Sequence, residues 1–248
     1  VDDVRAVKSF LQLSAADGGW RAVIIDPGDA LNRSAANAIL KFLEEPPART
    51  LILLVSHAPG GLLPTIRSRC RTLDLAPLGA QDLSAALAQA GVEIDAPEAP
   101  AMAELAGGSV GRAIRLAAGD GLALYAKLAG LLAPGRIDRH ALTQLAEAAV
   151  GRDGPQTYPM LVDLTQTLAA RLARAAALAT PPPPAAPAET ALAAKAASSP
   201  PQALLWAEAS ARASARFRHA VAVNLDPAQT IIDTFLDLDD TLARAQRA

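Results

Sequence analysis

"RAVIIDPGDALNRSAANAILKFLEEPPARTLILLVSH", residues 21–57, decides the fold. It opens on a short apolar run, 21–26, that ends in the acid Asp26, and closes on a second apolar run, 50–57. Between them, roughly 33–45 carries helical apolar spacing and is stopped by Pro46-Pro47. Continuous apolar runs without polar alternation read as strands covered on both faces. Two such strands separated by a helix form the alternation of a parallel α/β sheet.

Working downstream, "APGGLLPTIRSRC" (58–70) reads as a turn plus one helical turn, and "RTLDL" (71–75) as a third, short strand. Upstream, Val4, Val7, Phe10 and Leu11 sit at helical spacing until Asp17-Gly18-Gly19 breaks the chain. After Pro77 no strand pattern appears. A short helix is expected over 80–91, a Pro-broken stretch over 93–100, and two short helices in 101–119, divided at Gly107-Gly108. From about 121 the helices lengthen. Leu161, Leu164, Leu168 and Leu172 make one apolar stripe. Leu205, Ala209, Ala213, Phe217 and Val221 make another, with a Glu208–Arg212 pair on a neighbouring face. "TPPPPAAPAET" (180–190) reads as an exposed low-complexity link, and Asp226 as the N-cap of a last helix with Pro227 at its first position.

Composition narrows the classes. The chain has 248 residues, 51% of them apolar and only 3% aromatic, so it can bury sizeable cores built largely from alanine and leucine. Its net charge is −2, and the +1 of residues 1–80 against the −3 of the remainder leaves no global basic field for nucleic acid. A single cysteine excludes an internal disulfide and any multi-cysteine zinc site. With no uncharged apolar run approaching 18 residues and no leader ahead of Val1, the expectation is a soluble, cytoplasmic protein that binds no metal.

Several residues are candidates for chemistry. Asp26, at the end of a strand, is either a magnesium ligand beside bound phosphates or a cap for the following helix. Pro27 stands where a catalytic ATPase carries a water-orienting carboxylate, and no G-x-x-x-x-G-K-[ST] loop exists in the chain. Nucleotide hydrolysis by this chain alone is therefore not expected. Arg69 has two readings: a cation reaching phosphate on a neighbouring subunit, or a surface arginine paired with Asp74 or Glu45. Cys70 beside it reads as a small packed hydrophobe. Ser56 and His57 end the second strand, where a polar group senses a γ-phosphate or merely terminates the strand. Arg112, behind a Gly-Ser hinge, either reaches nucleotide or caps backbone carbonyls. Arg33, Asn37 and Lys41 recur at i, i+4 and i+8 as a polar stripe, facing a phosphate backbone or solvent.

Three segments together, "VIIDPGDALNRSAANAILKFLEEPP" (23–47), "LLVSHAPGGLLPTIRSRCRTLDLAPL" (53–78) and "GGSVGRAIRLA" (107–117), resemble the AAA+ clamp-loader subunits of bacterial DNA polymerase III. Pro27, and the closing helix without a long extension, fit the delta-prime-like branch of that family more than its gamma/tau motors. The resemblance implies an α/β partial AAA+ base with a parallel sheet over 1–76. It further implies an all-α lid over 77–119 and an all-α helical collar over 120–248, predominantly helical overall. It implies a hetero-oligomeric ring with gamma/tau and delta subunits, which places the sliding clamp on primed DNA. In such a ring this chain binds no cofactor, while ATP and Mg sit on the adjacent motor subunit and receive Arg69 as an arginine finger, flanked by Ser68 and Cys70. Asp26, Ser56 and Arg112 become remnants of a nucleotide-sensing set. The family's first strand, degenerate phosphate-loop region and zinc-binding cysteines lie upstream of Val1, so a truncated chain is expected, with apolar sheet faces left open. Two alternatives remain: a gamma/tau-type ATPase lacking its nucleotide-binding half, and a non-catalytic helical interaction domain.

Overall fold

The computed structural model describes residues 6–7, 9–11, 18–151, 154–178, 180–196 and 199–247, and divides into two compact units, Val1–Leu75 and Ala76–Ala248. In the first unit, β1 (Arg21–Ile25) and β2 (Thr50–Leu54) pair in parallel, with Val23 opposite Ile52. Parallel pairing requires a crossover, and the helix Arg33–Glu44 supplies it. Asn32 caps that helix by accepting the Ala35 amide at 2.9 Å, which satisfies one of the donors left free at a helix start. Ala35, Ala36 and Ile39 line its buried face. The short helix Pro64–Arg67 brings Ile66 against Ala36 and Ile39, and Ile25, Leu54 and Cys70 pack around them.

Two expectations fail here. The strands are covered on one face only: Val23 is buried, whereas Ile24 is 66% exposed and Leu51 and Leu53 point outward. Successive strand residues alternate faces, and the crossover helix covers the face that carries Ile25 and Leu54. The segment 71–75 forms no strand; Leu73 and Leu75 are more than four-fifths exposed. A strand persists only when its backbone pairs and its apolar face is covered, and neither condition is met. Of the N-terminal helix, residues 6–7 and 9–11 are helical, with Leu11 buried; Val4, Leu13 and Asp17 lie outside the described residues.

Among its described residues the second unit has helices and their connections, with no strand. Short helices Ala80–Gln89, Ala99–Ala106 and Val110–Ala118 come first. Gly121–Leu132, Arg139–Val150, the long Gly154–Ala177, Pro187–Ala196, Pro200–Ala222 and Pro227–Ala245 follow. The chain thus runs from a small parallel α/β portion into a helical remainder, the order expected. The Gly107-Gly108 break has a steric cause. Gly108 adopts φ +70°, and a Cβ there would sit 2.4 Å from the Leu78 amide nitrogen. Asp226 caps the last helix through the Ala228 amide at 2.9 Å, as the sequence indicated.

Leu161, Leu164, Leu168 and Leu172 are fully buried along the long helix, which packs against Pro200–Ala222. The second stripe is only partly as read. Trp206, Ala209, Ala213 and Phe217 are buried, but Val221 is 70% exposed. At about 100° per residue, four successive steps of four rotate the line by about 160°, so Leu205 and Val221 cannot share a face. Arg212 does not pair with Glu208. It reaches the neighbouring helix and grips both Asp237 oxygens at 3.1 Å in a bidentate fork.

The Pro-rich segment 180–190 is not an exposed link either. Ala185, Ala186 and Glu189 are buried, and Glu189 accepts Arg171 Nε at 2.7 Å and the Ala185 amide at 2.8 Å. Arg171, 1% exposed, also donates to Glu104 Oε2 at 2.9 Å and to the Pro183 carbonyl. A buried guanidinium requires carboxylates and carbonyls around it, and the loop supplies them. Burial, followed by the nearby Glu189 charge, pushes the Tyr125 hydroxyl well above the usual tyrosine range.

Candidate functional site

The chain leaves β1 through a tight turn, Gly28–Ala30, and the residues after β2 run alongside it. The Gly28 amide donates to the Val55 carbonyl at 2.7 Å, and a Cβ at Gly28 would lie 3.2 Å from that oxygen. Asp29 then clamps the two strand ends. Its carboxylate accepts the Ser56 hydroxyl at 2.6 Å and the His57 and Ala58 amides at 2.7 and 3.1 Å. The Ser56 hydrogen bond, joined by those two amides, holds the Asp29 carboxyl below the usual carboxylate range. Sequence reading passed over this pairing. Its signal was a carboxylate just after one strand and a Ser-His just after the next, which parallel neighbours bring side by side. Asp26 itself lies exposed on the approach to the turn.

Arg69 follows the short helix Pro64–Arg67 and is partly exposed. Its amide donates to the Ile66 carbonyl at 3.0 Å, continuing the helical turn. Nη1 donates to the Thr65 carbonyl at 3.0 Å and to Ser68 Oγ at 3.2 Å, and Nη2 lies 2.6 Å from Glu44 Oε1. The carboxylate partner is therefore Glu44, neither Asp74 nor Glu45. Glu44 ends the crossover helix, so the helix that builds the core also supplies the anion that pairs with the guanidinium. Cys70 packs against the Ile39–Ile66 core, and burial raises its thiol pKa, which keeps it a poor nucleophile. Arg67 and Arg71 are exposed on either side.

Arg33, Asn37 and Lys41 all lie exposed along the crossover helix, opposite the face that buries Ala36 and Ile39. In the second unit, Ser109 caps the helix Val110–Ala118, and Arg112 turns to the long helix. Its Nη2 donates to Thr167 Oγ1 at 2.7 Å and lies 3.0 Å from Asp163 Oδ2. It does not cap backbone carbonyls. Among the described residues no cluster of three or more His, Cys, Asp or Glu gathers as a metal site, and no helix is long and apolar enough to cross a membrane.

Residues 1–79 match the model of a family described as DNA polymerase III, delta subunit. The chain is 51% identical over 70 residues to DNA polymerase III subunit delta' of Pseudomonas aeruginosa strain PAO1, covering 28% of this chain and 21% of the relative. It is 41% identical over 120 residues to subunit delta' of Escherichia coli K12, covering 48% and 36%. It is also 31% identical over 170 residues to DNA polymerase III subunit tau of Salmonella typhimurium strain LT2, covering 65% and 26%. The chain spans between about a fifth and about a third of the length of these relatives.

Proposed function

We propose, for a chain whose residues 1–79 match the DNA polymerase III delta-subunit family, that it serves as a clamp-loader subunit that does not itself hydrolyse nucleotide. Its residues 1–76 act as part of an AAA+ base, 77–119 as a helical lid and 120–248 as the collar that joins a ring with gamma/tau and delta subunits. Arg69 reaches ATP and its Mg ion on the adjacent motor subunit while the ring opens the sliding clamp and sets it on primed DNA. The observation that carries this reading is the Ser68-Arg69-Cys70 corner. A partly exposed guanidinium stands on a rigid helical turn whose neighbour, Cys70, is anchored in the core. An arginine presented this way supplies charge to a transferring phosphoryl group without reorganising at the moment of reaction.

Two further features fit. Asp26 is followed by Pro27, which has no carboxylate to orient water, and Ser56 spends its hydroxyl on Asp29. Arg33, Asn37 and Lys41 form an open row suited to a nucleic-acid backbone, the one part of the surface we assign to DNA. The match to a tau subunit, which covers 65% of this chain, favours a second reading in which the protein is a motor-type ATPase. Assaying the full-length protein alone for ATP hydrolysis separates the two, since a motor turns over without partners.

The test of the leading reading is a reconstituted clamp loader carrying Arg69→Ala. Removing a trans arginine finger lowers turnover by about three to five powers of ten in the strongest known cases. Clamp- and DNA-stimulated ATP hydrolysis is expected to fall by at least tenfold while the ring still assembles. Unchanged turnover in an assembled ring would refute the role of Arg69. Arg33→Ala with Lys41→Ala is expected to flatten the salt dependence of primed-DNA binding, the log–log slope dropping by about one for each phosphate left without its cation.

A further inference from the structure

Glu44 is the last residue of the crossover helix, where the free carbonyls already carry partial negative charge. An acid at that position is electrostatically misplaced unless a cation answers it. Arg69 answers it, with Nη2 2.6 Å from Oε1. Nη1 is held separately, by the Thr65 carbonyl and Ser68 Oγ. The guanidinium thus has one edge fixed to its own helical turn and the other occupied by an exchangeable anion. Both partners of that ion pair reach solvent, 36% exposed for the Arg69 side chain and 48% for Glu44, so the pair is weak and water can replace either member.

We infer that Glu44 is a placeholder anion for Arg69, surrendered when a nucleoside triphosphate on an adjacent subunit presents its terminal phosphate. The inference rests on the reading of Arg69 given above. Exchanging a carboxylate for a phosphate leaves the guanidinium paired throughout, and the Nη1 contacts preserve its direction during the exchange. A terminal phosphate carries more charge than a carboxylate and offers the guanidinium two oxygens where Glu44 engages it through one, so it outcompetes the carboxylate for Nη2. Glu44 is then a positioning residue that sets how readily Arg69 is available, and it does not act on the phosphoryl group. The cost of the latch appears as a reduced fraction of competent arginine, which weakens apparent nucleotide affinity by that fraction.

The test compares Glu44→Gln, Arg69→Ala and the double variant in the reconstituted complex, with ATP as the varied ligand. Glutamine keeps the shape at the helix end and removes the competing charge. The ATP concentration for half-maximal turnover is expected to fall by about two- to five-fold, the weight of an exposed ion pair, with limiting turnover unchanged. In the Arg69→Ala background the Glu44→Gln change should shift nothing, since the latch has lost its partner. Reduced limiting turnover, kinetics equal to the parent, or a Glu44→Gln effect that survives in the Arg69→Ala background would each overturn the placeholder role. Should Arg69→Ala itself leave turnover intact, the underlying arginine-finger reading falls instead.

Discussion

Arg171→Ala is the substitution that most directly tests how the helical unit is held together. The guanidinium is 1% exposed and donates to Glu189 at 2.7 Å, to Glu104 at 2.9 Å and to the Pro183 carbonyl. Glu189 is itself 5% exposed and also holds the Ala185 amide. Truncating the arginine therefore strands a buried carboxylate and frees the Pro-rich segment that the arginine pins. Breaking a buried pair from one side costs about 3–5 kcal/mol. Domains of this kind have about 5–15 kcal/mol in total, so the loss takes a large share. At about 2–4 °C per kcal/mol for 150–250 residues, the melting temperature should fall by about 6–20 °C. Urea titration and thermal melting of the full chain, followed by circular dichroism, measure both. The companion Arg171→Met with Glu189→Gln removes both charges and should cost less than the single truncation. A loss below about 1 kcal/mol for Arg171→Ala, or a double variant worse than the single, refutes the reasoning.

Trp206→Ala, at a fully buried position against the long helix, should cost about 3–5 kcal/mol in the same urea titration. Gly108→Ala and Gly91→Ala form a matched pair. Both glycines have positive φ, but a Cβ at Gly108 meets the Leu78 backbone at 2.4 Å and one at Gly91 meets nothing within 4 Å. The first should therefore cost about 2–4 kcal/mol, from conformational strain plus forced displacement, and the second about 1 kcal/mol. Asp29→Asn should raise amide hydrogen exchange at His57 and Ala58, read by NMR or mass spectrometry. Because the folded-state pKa of Asp29 is depressed, its clamp is at full strength above the ordinary carboxylate value of about 4 and is lost as pH falls through the lower folded value. Parent and variant exchange should thus differ at pH 6 and converge in strong acid.

What the sequence disclosed depended on the range over which each signal acts. The crossover helix was legible because its apolar spacing and its Pro46-Pro47 stop lie within one segment, and the structure ends it at Glu44. The Gly107-Gly108 break and the Asp226 cap were legible for the same reason. The strands were half legible: their apolar runs predicted β structure, yet whether the second face is covered depends on layers that the runs do not encode. The partners of Arg69, Arg112, Arg171 and Arg212 were misread or missed. A long cation finds its carboxylate across helices, as Arg171 does with Glu104 and Arg212 with Asp237. Local spacing favours i,i+4 neighbours and cannot see those distances. The segment 180–190 misled because proline-rich composition resembles linker, and nothing within it reveals that Arg171 binds it.

The ion-pair geometry also ranks the candidate phosphate-sensing groups by what each must give up. Ser56 is tied to a carboxylate that simultaneously holds two backbone amides, so freeing its hydroxyl means loosening the joint between the two strand ends. Arg112 is 27% exposed and would have to abandon both Asp163 and Thr167, which would uncouple its helix from the long one. Arg69 relinquishes only a solvent-facing pair with Glu44 and keeps its Thr65 and Ser68 contacts when it does. Exchange costs follow that order, because the Arg69–Glu44 contact between elements is a single exposed ion pair and weak, whereas Ser56 and Arg112 each sit in a joint made of several hydrogen bonds. Among these three groups, Arg69 alone can trade its anion for an external phosphate without disturbing the fold. That is why the arginine-finger proposal rests on it, and why Glu44 is the residue to change first.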